Sequence, residues 1–128
     1  MKNIIFYIGM STLFTHELDA IINHEWRLLP LLGWLTDEYG EIVFILIHIP
    51  LFAILIALVA STNIKTRSLS RIGISIFLVI HGLLHVVFMR STSYEFTSTL
   101  SIILIFGGAL FGAAFLLLVF MGKRTNKL

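Results

Sequence analysis

The chain has 128 residues and a formal net charge of +2; 58% of it is hydrophobic and 12% charged. Its mean hydropathy of +0.99 is far above that of a water-soluble domain, where about half the residues are apolar. That length suits one membrane domain and no second, and the weak charge leaves no nucleic-acid footprint. The lack of cysteine excludes disulfides, thiolate metal sites, iron–sulfur clusters and c-type haem attachment.

The first element begins with Lys2 and Asn3 and runs into an apolar stretch. It resembles the start of a signal peptide, but no small-x-small cleavage site follows, and His16-Glu17-Leu18-Asp19 comes directly after. It therefore reads as a retained first span, residues 4–22, with a polar outer end. Residues 26–35 follow, leucine-rich, with Trp26, Pro30, Gly33 and Trp34. Tryptophans at both ends of such a segment suit an interfacial lid. Three further runs, residues 42–60, 72–89 and 99–121, approach the ~20 apolar residues that a spanning helix needs. Helix is the default for them, because lipid offers the backbone no hydrogen-bond partner.

The segment between the second and third spans carries Lys65, Arg67 and Arg71 and no acid. Lys2 stands at the start, and Lys123, Arg124 and Lys127 stand in the tail. The positive-inside rule puts all three regions in the cytoplasm. The expected fold is all-α: an integral four-helix bundle in the inner membrane, as a single domain with both termini inside. Gly108-x3-Gly112 in the fourth span gives a small-residue face for close helix approach. It would pack inside the bundle or against a second copy as a homo-oligomer.

The ionisable residues converge on one layer. At about 1.5 Å per residue, His16 and His48 lie about 9 Å below the outer ends of their spans, His85 about 6 Å and His81 about 12 Å. His81 and His85 are four residues apart, on one helix face. His16 and Asp19 are three apart and share a face, while Glu17 points about 100° away. His48 precedes Pro50, which removes a helical hydrogen bond and kinks the chain beside it. Ionisable groups inside a span are costly and usually mark a function.

Four chemistries suit that layer. A divalent metal, zinc or iron, would take His16, His48, His81 and His85 as ligands, with Asp19 or Glu17 as ligand or general base. Bound water could then be activated for hydrolysis. Haem b would take His48 with His81 or His85 across facing helices, as in an electron carrier. Metal-free proton transfer through histidine and carboxylate would suit a lipid-like substrate in the bilayer. The last reading is a structural or accessory subunit whose histidines only bridge helices. His24 and Glu25, beside Trp26 and Arg27, read as interfacial polar residues. Asp37, Glu38, Glu41 and Glu95 read as solvated loop charges, and Arg90 as an interfacial anchor.

Four motifs run through the chain: Phe14-Thr-His-Glu-Leu-Asp-Ala20, His24-Glu-Trp-Arg-Leu-Leu-Pro30, His48-Ile-Pro50 and His81-x3-His85. Together they resemble a small bacterial family of four-span membrane proteins, defined only as a domain of unknown function. The resemblance covers nearly the whole chain. It implies a four-helix inner-membrane protein and no particular activity.

Overall fold

The computed structural model describes residues 2–125, with side chains as far as Gly122. Of the basic tail residues, Lys127 lies outside the described residues, and Lys123 and Arg124 are described only as part of the α4 helix. Among the described residues there are four α-helices: α1 (Lys2–Ile22), α2 (Asp37–Val59), α3 (Ile64–Phe88) and α4 (Thr99–Thr125). A single 3-10 turn, Glu25–Arg27, interrupts the segment between α1 and α2.

Two helices begin earlier than the apolar runs suggest. The side chain of Asn63 caps α3 by accepting from the backbone N–H groups of Lys65 and Thr66 at 2.9 and 3.1 Å. That satisfies donors a helix start leaves open, so the basic residues Lys65, Arg67 and Arg71 ride on the first turns of α3 instead of a loop. Helix α2 starts at Asp37, whose carboxylate and that of Glu38 oppose the positive end of the helix dipole.

Three helices are long and apolar enough to cross a membrane: α2, α3 and α4 as far as Gly122. Helix α1 is of similar length but falls short, because His16, Glu17 and Asp19 dilute its second half. Helices α1 and α3 both pack along α4, and α2 leans against α3 from outside. Glycines set the close approaches. A Cβ on Gly112 would stand 2.7 Å from the Ser75 carbonyl oxygen, and one on Gly82 would stand 2.8 Å from Ala109 Cβ. The Gly108–Gly112 face is thus used within the chain, against Leu78, Ser75 and Thr12.

Two apolar clusters fill the bundle. Phe6, Met10, Val59, Ile74 and Phe115 occupy the end nearest Lys2. There Arg71 donates to Asn3 Oδ1 and to the Tyr7 hydroxyl, and its guanidinium stacks over the Phe6 and Tyr7 rings. Ala20, Trp26, Phe44, Phe96 and Ile105 occupy the other end. The two tryptophans part company there. Trp26 is 1% exposed and lies against Gly40 and Phe44, whereas Trp34 is 84% exposed. A set of ion pairs closes this end. Arg27 donates a two-pronged bond to Asp37, 2.9 Å in each arm, and a third to Glu95 at 2.6 Å. The other Glu95 oxygen lies 2.8 Å from His24 Nδ1. Asp37 and Glu95, expected as free loop charges, therefore hold the connecting segment down. The Asp37 carboxylate, as hydrogen-bond acceptor, also keeps the Arg27 guanidinium above its ordinary pKa.

Candidate metal centre

The centre depends on how the chain leaves α1. The Asp19 carbonyl accepts from both the backbone N–H and the side-chain amide of Asn23, at 3.0 and 2.8 Å, which ends the helix. His24 then takes φ 50° and ψ 44°, the single positive-φ residue other than glycine among those described. A left-handed residue with a Cβ costs about 1–2 kcal/mol. Here it reverses the chain, and the next side chain, Glu25, enters the bundle and becomes 5% exposed.

Inside, Glu25 meets three imidazoles. His16, Glu25, His81 and His85 each present one ligand atom, and these four atoms all lie within 4.8 Å of one another. His16 Nε2 is 3.4 Å from Glu25 Oε2, His85 Nε2 is 3.9 Å from Glu25 Oε1, and the Nε2 atoms of His81 and His85 are 3.2 Å apart. A tetrahedral ion with N and O ligands at about 2.0–2.1 Å has ligand–ligand edges of about 3.3 Å. Two of the measured edges are already at that length. The rings stand steeply to one another, His81 to His85 at 70° and His16 to His85 at 79°, so their nitrogens converge without stacking.

The centre is dry. His16 is 1% exposed, His85 0% and His81 9%. Phe96 packs on the His16 and His85 rings at 5.4 and 4.8 Å between centroids. Both nitrogens of His16 and Glu25 Oε2 are buried without a hydrogen-bond partner among the described residues. An unsatisfied buried polar group costs about 1–3 kcal/mol, and two of these atoms, His16 Nε2 and Glu25 Oε2, face each other at the centre. A cation would satisfy Glu25 and the facing lone pairs together. His85 has an outer partner as well: its Nδ1 lies 3.2 Å from the Tyr94 hydroxyl. Such contacts orient metal-bound imidazoles. Burial, and then the nearby Glu25, push the Tyr94 phenol above its usual pKa, so it is a neutral hydroxyl at this contact.

The other expected site residues fall elsewhere. His48 donates from Nδ1 to the Phe44 carbonyl at 2.6 Å, and its Nε2 lies 2.9 Å from Glu17 Oε2. This pair joins α2 to α1 on a different face from His16 and lies outside the four-residue group. Asp19 is 8% exposed, with Oδ2 unpartnered among the described residues, and also lies outside the group. The arrangement does not suit haem. A haem held by His48 with His81 or His85 would have to displace the contacts of both His48 nitrogens, to the Phe44 carbonyl and to Glu17. Glu25 is the residue that sequence reasoning missed. Its depth depends on the left-handed turn at His24, which the residue types around it do not announce. The one signal was the echo of His16-Glu17 in His24-Glu25.

Neither the curated proteins nor the solved structures contain a significant match to this sequence. Residues 2–122 match a family of unknown function, DUF6713. That match spans all four helices and every residue of the centre, and the chain therefore belongs to DUF6713.

Proposed function

We propose that this chain is an integral membrane protein that holds one divalent metal ion, zinc or iron, on His16, Glu25, His81 and His85. The carrying observation is the convergence of three buried imidazoles and one buried carboxylate from α1, the 3-10 turn and α3. Three apolar helices support membrane insertion. Charge supports the orientation. Lys2, Lys65, Arg67 and Arg71 gather at one end of the bundle, whereas Asp37, Glu38, Glu41 and Glu95 gather at the other. With the basic end in the cytoplasm, both termini are inside and the centre lies toward the outer face of the inner membrane.

Four protein ligands fill the coordination of zinc, which is the pattern of a structural site. In that reading the metal fastens residues 23–36 to the helices through Glu25. Hydrolase-like chemistry needs an open position for water. It requires either an ion such as iron with more than four ligands or release of Glu25; buried Asp19 is then the candidate base, since Glu17 faces His48 on another side of α1. X-ray absorption on the metal-loaded protein separates the two. Four light-atom neighbours at about 2.0–2.1 Å indicate the closed site, and six indicate an open one. A protein purified without chelators that takes up no metal sinks both. A reporter fused after Leu128 and active only outside the cytoplasm would overturn the orientation.

A further inference from the structure

The face of α1 that carries Glu17 borders a second feature. A half-open cavity of about 320 Å³ lies between α1, α2 and α3, with Leu13 and Glu17 on one side and the exposed residues Leu51, Gly73 and Phe77 toward its mouth. That volume is at the lower end of small-molecule sites and holds about ten groups of water size. Its wall is apolar except for one group, the Glu17 carboxylate. One of the two carboxylate oxygens, Oε2, faces His48 at 2.9 Å. Glu17 marks one end of the cavity. The lining runs from Leu51 to Leu55 on α2 and from Gly73 to Phe77 on α3, about 6 Å of helix in each.

Gly73, an exposed residue of that wall, differs like Gly107 from the glycines at close helix approaches. A Cβ at Gly9, Gly82 or Gly112 would press on a neighbour, but a Cβ at Gly73 would meet nothing within 4 Å. Glycine inside a helix destabilises it by about 0.5–1 kcal/mol relative to alanine. No close helix approach at Gly73 offsets that. What its missing side chain provides is room in the cavity.

We infer that this cavity binds a single-chain, lipid-like molecule with a hydrogen-bond-donating head, a hydroxyl or an amine, set against Glu17, with its apolar tail running toward Gly73 and Leu55. The inference does not rest on the metal reading. The centre uses His16 on one face of α1, and the cavity uses Leu13 and Glu17 on another.

Native mass spectrometry of the delipidated full-length protein tests it, with 1-dodecanol, dodecylamine, dodecane and a diacyl phosphatidylethanolamine as probes. The expected result is one dodecanol or dodecylamine per chain, with dodecane at least tenfold weaker. Gly73→Leu should fill the cavity and abolish the adduct while helicity and melting temperature hold. Leu51→Phe, which narrows the cavity from α2, should weaken the adduct and covers the case that Gly73→Leu fails to fold. Glu17→Gln should weaken dodecylamine more than dodecanol. Equal binding of dodecanol and dodecane, or unchanged dodecanol binding in both cavity-filling variants, would overturn the inference. So would phosphatidylethanolamine adducts without dodecanol adducts, which would make the cavity a contact for bulk membrane lipid. Metal content measured on the same samples reports separately on the centre.

Discussion

His16 and Glu17 are neighbours in the chain, yet they end in opposite situations. Glu17 finds a histidine of its own: His48 Nε2 lies 2.9 Å away, and the other His48 nitrogen is satisfied by the Phe44 carbonyl. That pair is internally complete and needs one proton shared between its facing atoms. His16 instead joins a group of four in which the His81 and His85 Nε2 atoms meet at 3.2 Å and Glu25 stands at 3.4 and 3.9 Å from His16 and His85, which leaves some of the polar atoms without a hydrogen bond. Its two nitrogens and Glu25 Oε2 remain without hydrogen bonds. Histidine and glutamate in a buried layer are therefore no sign of a metal by themselves. The sign is a surplus of lone pairs aimed at one point.

The sharpest way to break that comparison is to remove one member from each group. Glu25→Ala should reduce bound metal to below a tenth of the wild-type amount, while Glu17→Ala should leave it near wild type. Trp26→Ala comes next. The indole is buried against Gly40 and Phe44, and loss of such a side chain costs about 3–5 kcal/mol, read as a drop in the unfolding midpoint. Tyr94→Phe removes the outer partner of His85 and should weaken metal affinity about 10–100-fold in a competition titration, with little change in fold. Acid should act in the same direction. Metal ligands must be unprotonated, so affinity should fall as the pH is lowered and recover when it is raised. An affinity that rises in acid would contradict coordination by imidazole. The smallest effect is expected from His24→Gly. It relieves the left-handed φ of 50° but gives up the Glu95 contact, so stability should change by less than about 1 kcal/mol and metal should still bind. Strong destabilisation would show that the His24 ring itself holds the turn.

The sequence made much of this visible through periodicity and depth. Apolar runs of spanning length located α2, α3 and α4, and the four-residue spacing of His81 and His85 placed both on one face. Counting rise per residue brought His16 to the same layer. The limits have physical causes. Depth counting does not give rotation about a helix axis, so it put His48 among the ligands although its face of α2 meets Glu17. It also assigns nothing to residues outside the helices, so Glu25 read as interfacial. One left-handed residue inverted that, and no apolar pattern encodes it. Asp37 and Glu95 were hidden for a related reason: Arg27 unites two loops that lie far apart in sequence, 10 and 68 residues away.

The most direct measurement is the metal content of the detergent-purified protein by elemental analysis, on the wild type, Glu25→Ala and Glu17→Ala in parallel. The account predicts about one zinc or non-haem iron per chain in the wild type and in Glu17→Ala, and close to none in Glu25→Ala. Equal metal in all three, or none in the wild type after purification without chelators, would contradict it.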